Sequence, residues 1–367
     1  MFAKENENLA MDMNGSVNRK SLRDISLNIS EEEYRADPAL SYSTLARYER
    51  EGFNNLDKLF DKIETPSLTF GASVDALITG GQEEFDERFM VAEFPSTPDS
   101  ITKMVKSLFS QYGDSYRSLI TIPDGVIIKE TEYQSYQMNW KPETRAKVIK
   151  EKGADYYNLL FIAGDRCIIN TQTYQDIVDA VKALKESEAT KFYFAEDNPF
   201  EPNIERLYQL KFKTVLNDIP YRCMFDELLV DYEKKKILPI DLKTSSTNDR
   251  EWDFPKHYLH WGYQIQNRLY VRILKDVLSK DDYFKDFEIY PYRDIIVVRK
   301  SNTPLVWEIP FTFSYGDLIF GKHSDIILRD PEDLGKELYE YLNSRTKVPK
   351  GIRENDLNSM ELWLNTL

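Results

Sequence analysis

The sequence predicts an α/β fold, and three observations carry that prediction. Residues 221–244 (YRCMFDELLVDYEKKKILPIDLKT) hold two apolar runs parted by the polar centre Glu233-Lys234-Lys235-Lys236, the pattern of a β-hairpin. Residues 258–278 place Gly262, Ile265, Leu269 and Ile273 at helical spacing. Asp294-Ile295-Ile296-Val297-Val298 reads as a short, apolar strand buried in a sheet.

Taken in order, residues 1–22 are polar, with a basic pair at Arg19-Lys20, and read as a flexible tail. Ser30 before Glu31-Glu32-Glu33 starts a helix with acids in its first turn, and Ser41-Tyr42-Ser43 starts another. LTFGASVDALITGG is a small-residue helix closed by Gly80-Gly81. Asp75 interrupts its apolar face, and taken alone fits a partly exposed helix residue. Pro95-Ser96-Thr97-Pro98-Asp99 is a loop, and 101–112 is helical. Arg145, Lys147, Lys150 and Lys152 form a basic run that suits either a solvated helix face or a phosphate-tracking patch. Residues 173–187 (TYQDIVDAVKALKES) are a clear amphipathic helix. Residues 205–215 alternate as a strand leading into the hairpin. After Thr244 comes a polar loop, then the long helix. Beside its buried stripe, Tyr263, Gln266 and Tyr270 fall on a second face, which taken alone fits a solvent or interface edge. Another strand is expected at 305–311 and a C-terminal helix at 331–345, with Pro331 near its start.

The totals narrow the function classes. At 367 residues, 41% hydrophobic and 13% aromatic, the chain suffices for one large or two ordinary domains with a sizeable core. It contains no run of eighteen apolar residues, and its first sixteen residues lack a signal-peptide core, so a soluble, cytoplasmic protein is expected, without membrane association. Cys167 and Cys223 supply neither a disulfide framework nor four ligands to an iron–sulfur cluster. With only His257, His260 and His323, a His/Cys zinc site is not expected either. The net charge of −14 weighs against broad nucleic-acid binding, yet it leaves room for a basic channel within an acidic exterior.

The chemistry gathers at the hairpin. Folding it between Glu233 and Lys234 sets residues whose numbers sum to 467 opposite each other, so Asp226 faces Asp241 with Cβ atoms about 5 Å apart. Lys243, two residues on, shares the face of Asp241. Asp231 is roughly 16 Å away, in the turn. Two carboxylates this close repel unless a cation sits between them. Hard divalent metals choose oxygen ligands, polarise phosphoryl oxygens and lower the pKa of water, while a lysine can offset charge developing on phosphate. The same residues also fit a surface hairpin with a cross-strand salt bridge. Pro239, which cannot donate to a ladder, points toward an edge or bulge.

These pieces resemble the phage exonucleases of the RecE, or exodeoxyribonuclease VIII, type, within the RecB-like branch of the PD-(D/E)xK nucleases. The resemblance covers most of 25–325. It rests on Ser41-Tyr42-Ser43-Thr44-Leu45, on Phe70-Gly71-Ala72-Ser73-Val74-Asp75-Ala76-Leu77, on Asp226 with Asp241-Leu242-Lys243-Thr244, and on Tyr263, Gln266 and Tyr270. It implies a mixed central sheet flanked by helices with a helical N-terminal extension. The tail at 1–22 would precede one nuclease domain over 23–350, with an insertion at about 95–195 and a catalytic core at about 200–315; a tail at 351–367 would follow. Asp75, Asp226, Asp241 and the Leu242 carbonyl would hold Mg²⁺, or Mn²⁺ in its place. Lys243 would position or activate the attacking water. Gln266, Tyr270, Tyr263 and Thr244 would support the site or the nucleic-acid backbone. Asp75 stands where the family usually has histidine, and Cys223-Met224-Phe225 where Gly and a basic residue are common.

The implied activity is metal-dependent hydrolysis of DNA phosphodiesters from duplex ends, in phage-type recombination or repair. A homo-oligomer is expected by analogy with ring-forming members, beside a strand-annealing partner, in the host cytoplasm if the chain is phage-encoded. Two rivals stay open. One is an endonuclease or single-strand nuclease on the same core; the other is a decayed nuclease fold serving as an interaction scaffold.

Overall fold

The computed structural model describes residues 19–343, apart from 54–55, 57–58, 61–62, 64, 94–96, 196–202, 246–253, 299–302 and 310–327. Most of the expected N-terminal tail, Pro95-Ser96, the loop after Thr244 and the tail at 351–367 lie outside the described residues. The chain divides into two compact units, one of Met1–Ile63, Lys185–Val298 and Thr303–Leu367 and one of Glu64–Leu184 with Arg299–Asn302.

The first unit is anchored earlier than the boundary at residue 22. Leu22 opens a 3-10 turn (Leu22–Ile25) capped by Ser21 and lies fully buried in the core. Lys20 pairs with Asp281, and the Arg19 guanidinium lies 3.8 Å from the Tyr232 ring centroid. Helix α1 (Glu31–Ala36) starts in a capping box, with Ser30 Oγ accepting the Glu33 N–H and Glu33 accepting the Ser30 N–H. Helix α2 (Tyr42–Glu51) follows Ser41.

The second unit holds α3 (Pro66–Thr79), α4 (Gly81–Arg88), β1 (Phe89–Val91), α5 (Asp99–Tyr112), α6 (Asp124–Tyr133), α7 (Pro142–Ala163), β2 (Cys167–Ile169) and most of α8 (Thr171–Glu186). Strands β1 and β2 pair in parallel. Helices α5, α6 and α7 close around Val105, Leu108, Ile127, Ile149 and Tyr157. The basic run on α7 is not one solvated face: Arg145 is buried, bonding Met138 Sδ at 3.0 Å, while exposed Lys147 pairs with Glu151 and Lys150 with Asp124.

The first unit is built on a mixed sheet of six strands: β3 (Ile204–Leu216), β4 (Ile219–Asp231), β5 (Lys236–Ser245), β6 (Glu288–Ile289), β7 (Tyr292–Val298) and β8 (Pro304–Ile309). Its order is β3-β4-β5-β7-β8, with β6 beside the start of β5. Among the described strands of this sheet, the β5–β7 and β5–β6 pairs are parallel and the others antiparallel. A parallel pair needs a crossover. Helices α9 (Phe254–Trp261) and α10 (Tyr263–Ser279) lie on the connection from β5 to β7. The expected single helix over 258–278 is thus broken. Gly262, expected in its buried stripe, adopts the left-handed φ of +70° and serves as the joint, where other residues are strained. The stripe Ile265, Leu269 and Ile273 on α10 is buried against the sheet with Phe212, Tyr221 and Phe225. Helix α11 (Pro331–Asn343) completes this core through Leu334 and Leu338.

Two hairpins set the register. Asn217 and Asp218, both at positive φ, form the two-residue turn between β3 and β4. At the β4–β5 turn, Asp231 Oδ1 accepts the Lys234 N–H at 2.9 Å. The β3–β4 pairing skips Gln209 and Asp226. Cys223 and Phe225 on one side of that gap, and Leu228 and Val230 on the other, all enter the same core, so β4 shifts its alternation by one residue there. Gln209 takes a φ of +55° at the same point. Irregularities of this kind re-aim side chains.

Candidate active site

The hairpin register is the one its fold-back point predicts. Pairs run from Asp231↔Lys236 to Glu227↔Ile240, each summing to 467, and the ladder stops one pair short of Asp226 and Asp241. Beyond Ile240, β5 continues beside β7, with Asp241↔Asp294, Leu242↔Ile295 and Lys243↔Ile296. Instead of a backbone carbonyl from β4, the Asp226 carboxylate accepts the Leu242 N–H at 2.8 Å. The shift in β4 therefore turns Asp226 toward the end of β5 and lets its side chain extend the ladder.

Asp241, Lys243 and Gln266 form a closed triangle. Lys243 pairs with Asp241 Oδ2 and donates to Gln266 Oε1 at 2.8 Å, while Gln266 Nε2 donates to Asp241 Oδ1. These contacts fix the Gln266 amide orientation, since only its nitrogen can donate. Asp241 and Gln266 are buried and Lys243 is partly so. Burial acts against the Lys243 ammonium, but the charge of Asp241, with Tyr263, Tyr42 and Asp294, outweighs it and holds the lysine protonated well above its usual range. The Tyr263 ring centroid lies 4.4 Å from Lys243 Nζ and that of Tyr42 5.9 Å, a cation–π setting that shields the ammonium.

The remaining expected residues fall differently. Tyr270, one helical turn beyond Gln266, is buried with its ring against Phe225. Burial pushes its phenol well above the usual range, and Tyr34, Cys223, Asp241 and Asp226 add to that. Both carboxylates thus act on one buried hydroxyl. Thr244 is half-buried opposite Val297, and the pleat turns it away from the face of Asp241 and Lys243. Asp75 belongs to the second unit, half-buried on α3.

Asp294 was not among the expected site residues. It is wholly buried beside Asp241, with Oδ2 accepting Asn267 Nδ2 at 3.1 Å and Oδ1 without a hydrogen bond. Burial, opposed by Lys243 and reinforced by Asp241, pushes its carboxyl up to about 7. The available signal was one acid heading an apolar strand; only the parallel register sets it next to Asp241.

Among the described residues, no group of three or more His, Cys, Asp or Glu side chains could enclose a metal. Asp226 and Asp241 offer oxygen alone, and Asp241 Oδ2 has no hydrogen bond beyond its ion pair. Mg²⁺ is characteristically held by one or two carboxylates, waters and substrate phosphate, so this donor set fits it.

No protein-family model matches the chain. No curated protein matches it. Among solved structures, a candidate exonuclease from Eubacterium rectale aligns over 86% of this chain and 86% of that one, at 11% identity and a TM-score of 0.42. A Vibrio cholerae protein aligns over 76% of this chain and 57% of that one, at 13% identity and a TM-score of 0.18. Likenesses this slight carry no weight for the function. Among the described residues, no helix is long and apolar enough to cross a membrane.

Proposed function

We propose that this chain is a divalent-metal-dependent nuclease that hydrolyses DNA phosphodiesters from duplex ends, in phage-type recombination or repair. One observation carries the reading: at the end of β5, Asp226 bonds the strand while Asp241 and Lys243 form an ion pair bridged by Gln266. A salt bridge alone has no need of a second carboxylate extending the ladder.

Asp226 and Asp241, with the Leu242 carbonyl, would hold Mg²⁺ or Mn²⁺. When bound, such an ion supplies Lewis-acid polarisation of a phosphoryl oxygen and eases deprotonation of water. Lys243 enters the reaction as a fixed positive charge, since its neighbours hold it protonated. It would donate hydrogen bonds to a phosphate oxygen or hold the attacking water in line, offsetting negative charge as that charge develops. Gln266 orients the Lys243 ammonium against Asp241. Tyr263 and Tyr42 keep bulk water from its flank and so strengthen its field.

Incubating the protein with linear duplex, circular duplex and single-stranded DNA, in Mg²⁺ or EDTA, tests the reading. We expect linear DNA to be consumed only with the metal. Cut circles would favour an endonuclease, and intact DNA in every arm would overturn the proposal. Lys243→Ala should lower cleavage by about a hundredfold or more while the far-ultraviolet spectrum stays unchanged.

A further inference from the structure

Helix α9 presents an unusual face for so acidic a chain. Its eight residues, Phe254–Trp261, include no carboxylate. Phe254 and Tyr258, four apart, are buried against Ile296. Lys256, His257, His260 and Trp261 lie three and four residues apart, which places them side by side on one helix surface. Lys256, His260 and Trp261 are exposed, Trp261 at 45%. The exposed Arg50 reaches the same spot from α2: its guanidinium lies 5.5 Å from the Trp261 ring centroid, and Nη1 donates to the Trp261 carbonyl at 3.4 Å.

This surface adjoins the candidate active site. Tyr42, whose ring flanks Lys243, donates its hydroxyl to the Trp261 carbonyl at 2.9 Å. Tyr263, the other ring at the lysine, follows Trp261 by two residues. An exposed indole under a guanidinium, with further basic side chains beside it, matches what unpaired nucleic acid requires: an aromatic face for a base and cations for the flanking phosphates. A base inside a duplex has both faces covered by its neighbours, whereas one in a separated or overhanging strand offers a face to the indole.

We propose that Trp261 and Arg50, with Lys256 and His260, form the platform on which an unpaired nucleotide stacks as its strand passes to Lys243. This rests on the nuclease reading and deepens it: the strand being cut is single-stranded as it approaches the site, so ends with a separated or overhanging strand are the substrate class. The shared chemistry is an unpaired base flanked by phosphates, and DNA and RNA both carry it.

The test separates binding from cleavage. In EDTA, fluorescence anisotropy follows a short labelled single-stranded oligodeoxynucleotide, the matching oligoribonucleotide and a blunt hairpin duplex. We expect tighter binding of the single strand than of the blunt duplex. Trp261→Ala should weaken single-strand binding by about tenfold or more, and Trp261→Phe should restore most of it. Equal binding of the two DNA forms, or single-strand affinity unchanged in Trp261→Ala, would overturn the platform. The ribonucleotide arm assigns the strand chemistry: weaker binding of RNA fixes DNA as the ligand, and equal or tighter binding overturns that choice. Adding Mg²⁺ to the same samples distinguishes the two proposals. Cleavage by a protein whose binding ignores Trp261 would sink the platform alone; Trp261-dependent binding without cleavage of any substrate would sink the nuclease reading alone.

Discussion

Gln266 touches both members of the Asp241–Lys243 pair, so truncating it should loosen both at once. We expect Gln266→Ala to lower cleavage about ten- to hundredfold with little loss of fold, as substitutions that free a ligand's orientation do; steady-state rates on a linear duplex check this. Glu227 is a different kind of buried acid. Neither of its oxygens has a hydrogen bond, and burial, only partly opposed by Arg206, raises its carboxyl well above the usual range. Below about pH 4.5 the group is protonated in both states and contributes nothing. As pH rises past that value the unfolded chain loses the proton first, so the fold loses up to about 1.4 kcal/mol per pH unit until the folded carboxyl also ionises. Urea midpoints of the wild type should therefore fall toward alkaline pH relative to Glu227→Gln, and parallel midpoints would show that the acid is already ionised in the fold.

Among the elements, α11 meets β4 where no side chain fits. A Cβ on Gly335 would lie 1.9 Å from Tyr221 Oη. Gly335→Ala should cost about 1–3 kcal/mol by overpacking, read as a lowered denaturation midpoint. The β3–β4 turn points the other way. Asp218 holds a φ of +65° that glycine adopts without strain, so Asp218→Gly should add about 0.5–1 kcal/mol of stability. The β4–β5 hairpin was legible because its apolar runs flank a charged centre, and its register followed from that centre. The Asn217–Asp218 turn was not, because it lacks the glycine that marks such turns. Gly262 misled for a related reason: at helical spacing a glycine looks like a small core residue, and only its left-handed backbone shows that it ends one helix and begins another.

For the whole molecule, the sequence suffices to place Asp226, Asp241 and Lys243 in one neighbourhood, since strand alternation and hairpin arithmetic are local rules; Gln266, whose helical spacing alone fits a solvent or interface edge, is expected there only through the family resemblance. Asp294 escaped because its position depends on a parallel pairing across the fifty-odd residues that include α9 and α10, which no local rule reaches. The second unit, Glu64–Leu184 with Arg299–Asn302, overlaps the insertion expected at about 95–195 and has its own core, although its helices read individually like any others. Ligand linkage tests the site at this scale. Mg²⁺ should raise the melting temperature of the wild type by a few degrees and leave Asp241→Asn unmoved, as scanning calorimetry can show. A side chain, not the main chain, fastens the hairpin above Ile240, so Asp226→Ala would unfasten that seam and blunt the chemistry together. Asp226→Asn keeps an oxygen for the Leu242 amide while discarding the charge, and it alone can tell a frayed strand from a silenced reaction.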